Sequence, residues 1–122
     1  MNNPEVTMHE QQQSNQFDAL EKATTAAGVA ITLAMRVPAP LKPIAEQVIR
    51  SASSVPANLA EGAGRSGRDR MHHWRIAYGS AKEVDTHLRL LVGVGAIDSS
   101  RIEISLQLFD DVRAMTWRLL HR

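Results

Sequence analysis

The chain has 122 residues, of which 43% are hydrophobic and 22% charged, and its net charge is +1. This composition fits one folded domain with a single core and excludes a disordered chain. Aromatic residues make up only 4%, which disfavours a sandwich or barrel of half-buried strands, and the absence of cysteine excludes disulfides and thiolate chemistry. A stable fold without disulfides fits a reducing compartment, so we expect a cytoplasmic protein.

The first residues of the chain are polar and rich in glutamine, without the apolar run of a signal peptide or membrane anchor. We therefore predict a flexible polar leader over residues 1–15 and a folded domain over residues 16–122. No later window approaches the roughly 18 apolar residues of a membrane-spanning helix, so we expect no membrane contact.

Apolar residues spaced alternately by three and four predict four helices in the folded domain. They cover about residues 17–36, 41–60, 68–93 and 101–121. The expected buried stripe of the first helix is Phe17, Leu20, Thr24, Ala27, Ile31 and Ala34. The expected stripe of the second helix is Leu41, Ala45, Val48, Ala52, Val55 and Leu59, and that of the third is Trp74, Ala77, Ala81, Val84, Leu88, Leu91 and Gly95. Short connections make consecutive helices antiparallel, so the predicted fold class is all-α, an antiparallel up-and-down four-helix bundle.

Two features interrupt this pattern in the second helix. Pro56 lies inside the apolar stripe, where the missing N–H predicts a bend between Ala52 and Pro56. A glycine-rich segment from Gly62 to Gly67 then predicts the end of the helix and a short loop. This segment lacks the strand and the terminal lysine of a P-loop, which disfavours nucleotide binding.

The fourth helix carries more apolar residues than one buried stripe needs. They are Ile102, Ile104, Leu106, Leu108, Phe109, Val112, Met115, Trp117, Leu119 and Leu120. The surplus predicts a second covered face, and hence a homo-oligomer.

Two motifs between residues 44 and 97 resemble a known family. They are RSASSVPANLAEG at residues 50–62, followed by GRS at 64–66, and IAYGSAKEV at 76–84. With the segment FDAL at 17–20 and Pro38, they resemble the four-helix-bundle proteins encoded by intervening sequences in bacterial large-subunit ribosomal RNA genes. The chain departs from the usual family pattern at Asp69-Arg70 with Trp74, and at Ala96.

The resemblance implies a bundle that forms a ring-like homo-oligomer, with a pentamer expected, and leaves its biochemical role open. The accessory variability determinant proteins of diversity-generating retroelements look like the same bundle, and they bind nucleic acid and a reverse transcriptase. RNA, DNA or such a protein is therefore a possible partner of this chain.

Polar residues around the two motifs have a structural and a functional interpretation. Asn58 and Glu61 could present polar groups to a ligand, but they could equally cap and tether a bent helix. We expect an ion-pair network among Glu61, Arg65 and Glu83, and a close helix approach at Gly79-Ser80. The structural motif as a whole comprises Pro56, Asn58, Glu61, Gly62, Gly79, Ser80 and Glu83.

The best candidate for nucleic-acid binding is a basic cluster at the start of the third helix. Its members are Arg65, Arg68, Arg70, His72, His73 and Arg75. Arginines could contact phosphates while a histidine or Trp74 stacks on an unpaired base. The alternative is a solvated helix start with Trp74 in the core, and the residues do not decide between the two.

No constellation of catalytic residues is recognisable. The adjacent His72 and His73 point about 100° apart on a helix and cannot chelate one metal as an i, i+4 pair would. We expect no enzyme activity, metal or cofactor. The leading hypothesis is a ring-forming adaptor that binds RNA or DNA; the alternative is a protein-interaction scaffold that recruits a partner such as a reverse transcriptase.

Overall fold

The computed structural model describes residues 7–121 and contains four long α-helices in that range. They are α1 (Met8–Ala34), α2 (Lys42–Ala63), α3 (Gly67–Gly93) and α4 (Ser99–Leu120), with a 3-10 turn (Ala39–Leu41) before α2. Each helix packs on the next one along the chain, and α4 closes the bundle by packing on α1. The predicted all-α four-helix bundle is confirmed.

The predicted buried stripes of α2 and α3 form most of the core. In α3, the side chains of Trp74, Ala77, Ala81, Val84, Leu88 and Leu91 are all fully buried. In α2, Ala45, Val48, Ala52, Val55 and Leu59 are buried against them. The three-four spacing therefore identified the inward faces of both helices correctly.

The predicted stripe of α1 is correct in part, because the helix turns a row of alanines toward the core. The predicted Ala27 and Ala34 are buried and Leu20 and Ile31 are half-buried against the core, whereas Phe17 is 61% exposed and Thr24 is exposed. The buried residues of α1 are Ala19, Ala23, Ala26, Ala27, Ala30 and Ala34. Both stripes satisfy the three-four spacing, so the periodicity could not choose between them. The alanine stripe allows the closer approach of the neighbouring helices.

Helix α1 also begins earlier than the sequence pattern predicts. It starts at Met8, where the Thr7 hydroxyl caps it by accepting a hydrogen bond from the Glu10 N–H at 3.1 Å. The second half of the predicted leader is therefore helical and exposed, which suits its glutamine-rich composition. The first six residues of that leader lie outside the described residues.

Helix α2 runs unbroken through Pro56 and ends at Ala63, three residues later than predicted. Polar side chains next to the proline bond to backbone carbonyls of the same helix. Ser51 Oγ donates to the Gln47 carbonyl at 2.7 Å, and Asn58 Nδ2 donates to the Ser54 carbonyl at 2.9 Å. The seryl and asparaginyl side chains thus bind locally to the helix, as expected near an internal proline.

Candidate nucleic-acid interface

The basic cluster lies where α2 turns into α3, and two glycines shape that turn. Gly64 follows the last residue of α2, and Gly67 begins α3 with a positive φ of 59°. A left-handed backbone at this point is available to glycine at little cost. Arg68 therefore lies in the first turn of α3. The side chains that follow it face either α2 or solvent, depending on their position around the helix.

Trp74 belongs to the core and is unavailable for stacking on a base. Its side chain is fully buried, and Nε1 donates to the Leu59 carbonyl of α2 at 3.4 Å. A Cβ atom at Gly62 would lie 2.5 Å from the Trp74 ring. The closest approach of α2 and α3 at a glycine therefore occurs at Gly62. Of the predicted pair, Gly79 faces open space, whereas Ser80 is buried and donates to Ser54 of α2 at 2.9 Å.

Arg70 holds the end of α2 against α3. Its Nε donates to the Gly62 carbonyl at 3.1 Å and its Nη2 to the Ala63 carbonyl at 3.2 Å. The guanidinium also lies 5.4 Å above the centre of the Trp74 ring, within range of a cation–π contact. Arg70 thereby binds two carbonyls of the last turn of α2, and that of Gly62 also accepts a hydrogen bond from the Arg65 N–H at 3.1 Å.

Arg65 is bound between two carboxylates. Its Nε lies 2.9 Å from Glu61 Oε2, and its Nη1 lies 2.6 Å from Asp69 Oδ2. The hydrogen bond from Arg65 lowers the pKa of Asp69, and the two carboxylates raise the pKa of Arg65. The predicted network thus exists with Asp69 as its third member. Glu83 is exposed further along α3 and has no ion pair among residues 7–121.

A polar chain links α2 to α3 beside this network. His73 Nδ1 lies 2.9 Å from Asn58 Oδ1, and it donates, because the amide oxygen can only accept. Asn58 Nδ2 lies 3.0 Å from Ser54 Oγ, which in turn accepts a hydrogen bond from Ser80 Oγ at 2.9 Å. Asn58, Ser80 and His73 therefore connect the helices, which supports their structural interpretation.

Three of the six predicted residues remain free on the outer face of α3. Arg68, His72 and Arg75 are exposed, and none makes a side-chain hydrogen bond or ion pair within residues 7–121. Their spacing of four and three places them on one face, with about 10 Å of helix rise between the two arginines. We call these three residues the basic edge.

The sequence pattern missed a second exposed group near this end of the bundle. Trp117 on α4 is 50% exposed and stacks on His121 with ring centroids 4.1 Å apart. The apolar count of α4 had included this tryptophan among residues expected to be covered. Trp117 lies one residue outside the buried three-four stripe of α4, and this position was the signal that could have marked it as exposed.

Residues 15–118 match the 23S rRNA-intervening sequence protein family. The chain belongs to this family. A solved structure of similar fold is that of a protein of unknown function from the S23 ribosomal protein family of Bacteroides thetaiotaomicron VPI-5482, with 20% sequence identity and a TM-score of 0.81. The similarity covers 88% of this chain and 99% of the other, and it shows a shared fold. No curated protein sequence matches the chain.

Two further properties concern the described part of this family member. Residues 7–121 contain no group of three or more histidine and acidic side chains placed to hold a metal ion. None of the helices in this range is long and apolar enough to cross a membrane.

Proposed function

We propose that this family member is a non-enzymatic, cytoplasmic adaptor that binds RNA or DNA through the basic edge. The observation that carries the proposal is the separation of roles within the basic cluster. Arg65, Arg70 and His73 are bound to neighbouring groups, whereas Arg68, His72 and Arg75 project from one helix face without partners in the described chain. Two unpaired arginines on one helix face can each contact a phosphate of the same strand.

The charge distribution supports the same surface. Residues 61–78 contain four arginines and two acidic residues, a net charge of +2, whereas the whole chain carries +1. The remainder therefore has a net charge of −1. Arg65 offsets one of the two carboxylate charges of Glu61 and Asp69. The exposed arginines left without an ion pair in this segment, Arg68 and Arg75, therefore provide the attraction for a polyanion.

The test compares the wild-type protein with the double variant Arg68→Ala, Arg75→Ala in binding a labelled single-stranded RNA or DNA. We expect about tenfold weaker binding at low salt, since two charge-assisted contacts are lost. The salt slope should fall by about 1.4, which corresponds to two phosphate contacts on a single strand. A fourfold rise in salt should then weaken the wild type about sevenfold more than the variant.

The matched control is the double variant Arg36→Ala, Arg101→Ala. Both arginines are exposed and lie together at the opposite end of the bundle, so this variant has the same net charge without altering the basic edge. Equal losses in the two double variants would show a general charge effect and would overturn the proposal. So would salt-insensitive binding by the wild type.

We also propose that the adaptor assembles as a ring, with a pentamer expected, through the side of α4 that faces α1. Ile104 is 67% exposed, and Leu108 and Met115 are half-buried beside an open groove against α1. Such apolar surface is typical of a protein contact. Light scattering should give a particle mass several times the 13.5 kDa of one chain, and a monomer mass would refute the assembly.

The same apolar surface favours the second candidate function, a scaffold that recruits a protein such as a reverse transcriptase. The two functions differ in their response to nuclease. A partner that stays bound after nuclease treatment, together with a wild type that binds no nucleic acid, would favour the scaffold over the nucleic-acid adaptor.

A further inference from the structure

An exposed pair of stacked rings ends α4. The Trp117 ring is 50% exposed and lies nearly parallel to the His121 ring, at an interplanar angle of 19° and a centroid distance of 4.1 Å. His121 Nδ1 is 2.8 Å from the Trp117 carbonyl oxygen, and it donates, because a carbonyl can only accept. The imidazole is therefore held against the indole, and the two rings are positioned together at the surface.

Trp117 forms one wall of an open groove between α3 and α4. The groove has a volume of about 490 Å³. Its lining residues are Tyr78, Asp110, Arg113, Ala114, Trp117 and Arg118. Arg113 is fixed there by Asp85 at 2.8 Å and Asp110 at 3.0 Å.

One unpaired cation lies in the groove, close to the basic edge. Arg113 is bound by the carboxylates of Asp85 and Asp110, whereas Arg118 is exposed and has no ion pair within residues 7–121. Tyr78 follows Arg75 by three residues, which is about 4.5 Å of helix rise. The groove therefore begins within one helical turn of the basic edge, and Arg118 adds a further contact for a phosphate.

We propose that Trp117, supported by His121, binds an unpaired nucleobase in this groove by stacking. The proposal rests on the nucleic-acid binding proposed above and defines its ligand as single-stranded. Every base has a π-face that an aromatic ring can stack on, whereas the bases of a duplex are already stacked inside the helix. The unpaired Arg118 in the groove and the nearby Arg75 of the basic edge match a strand of phosphates better than an apolar protein surface.

The test measures the affinity of the wild type and of Trp117→Ala for four probes. The first two are labelled single strands of RNA and of DNA, each about a dozen nucleotides long. The third is a duplex of the same length, and the fourth is a strand of the same length without bases. We expect Trp117→Ala to bind the single strands roughly 5- to 150-fold more weakly, and the duplex and the abasic strand as tightly as the wild type does.

Two variants control for folding and for general loss of apolar surface. Trp117→Phe keeps an aromatic ring and should retain most of the single-strand affinity. Met35→Ala removes a more exposed apolar side chain at the opposite end of the bundle and should leave all four affinities unchanged. Single strands should also quench tryptophan emission in the wild type and not in Trp117→Phe, since the other tryptophan, Trp74, is fully buried.

Two results would overturn the stacking site while leaving the basic edge intact. One is an equal loss of affinity for the duplex or the abasic strand. The other is a change in oligomeric mass of Trp117→Ala with unchanged single-strand affinity, which would assign Trp117 to a contact between copies. Failure of the basic edge is distinguishable, because the Arg68→Ala, Arg75→Ala variant would then bind the abasic strand as tightly as the wild type.

Discussion

Replacing Gly62 by alanine should destabilise the bundle, although alanine is the better helix former. In an ordinary helix interior the change would gain about 1 kcal/mol. Here the new Cβ would lie 2.5 Å from two atoms of the Trp74 ring and 3.1 Å from the Arg70 carbonyl oxygen. The indole is fully buried and cannot swing away, so helices α2 and α3 must separate. Overpacking costs about 1–3 kcal/mol, and a 2.5 Å contact with a buried ring lies at the upper end of that range. After the gain of about 1 kcal/mol from helix propensity is subtracted, we expect a net loss of about 2 kcal/mol.

Urea unfolding followed by circular dichroism measures this loss, and the midpoint of thermal unfolding should fall by about 8 °C. The matched control is Gly79→Ala in α3, where an added Cβ meets nothing within 4 Å and the site is exposed. That variant should gain about 1 kcal/mol from helix propensity. All samples need the same protein concentration because assembly would shift the midpoint. A Gly62→Ala protein as stable as the wild type would refute the close-packing argument.

Two further predictions concern single polar side chains. Arg70→Lys keeps the charge but cannot make both hydrogen bonds to the end of α2, so it should lower the free energy of unfolding by about 1–2 kcal/mol. Its nucleic-acid affinity should equal that of the wild type. Weaker nucleic-acid binding by the folded variant would contradict a purely structural role of Arg70. Burial raises the pKa of Asp85 above its ordinary 3.8, and Arg113 opposes this effect only in part, because Asp85 Oδ1 is buried without a partner. The folded state therefore binds the proton of Asp85 more tightly than the unfolded state does, so protonation of Asp85 stabilises the fold. This stabilisation is lost as pH rises above about 3.8 through the folded pKa. Asp85→Asn carries no titrating group at this position, so the free energy of unfolding of the variant minus that of the wild type should increase from acid to neutral pH. Urea unfolding at several pH values measures this difference. A difference that stays constant with pH would contradict the raised pKa of Asp85.

The fold was predictable from the sequence where one apolar stripe had no competitor. In α3, the large side chains Trp74, Leu88 and Leu91 mark one inward face, and the structure buries all three. In α1, an alanine stripe overlaps the predicted stripe of larger side chains, and hydrophobicity wrongly adds Phe17, which is 61% exposed. The correct choice depends on how closely the neighbouring helices approach, which the sequence of α1 alone does not contain.

The candidate site was predictable as a cluster, but the role of each member depended on its partners. Arg65 has acidic residues four positions before and after it, Glu61 and Asp69, and this spacing was a visible signal of local ion pairs. The bonds from Arg70 to the carbonyls of α2 required the geometry of the turn. Sequence therefore located the basic surface, and the structure separated its bound arginines from its free ones.

Helix α4 departs from simple hydrophobic patterning in two ways, and one of them concerns the proposed stacking site. Ser105 and Thr116 are fully buried, while Trp117 is half exposed. Thr116 tolerates burial because its hydroxyl donates to the Val112 carbonyl at 2.7 Å, but no core contact explains an exposed tryptophan. Met115 lines a groove against α1, whereas Trp117 lines a groove against α3. Assembly through the α1 side would therefore leave the α3 side, next to the basic edge, open to a nucleic acid.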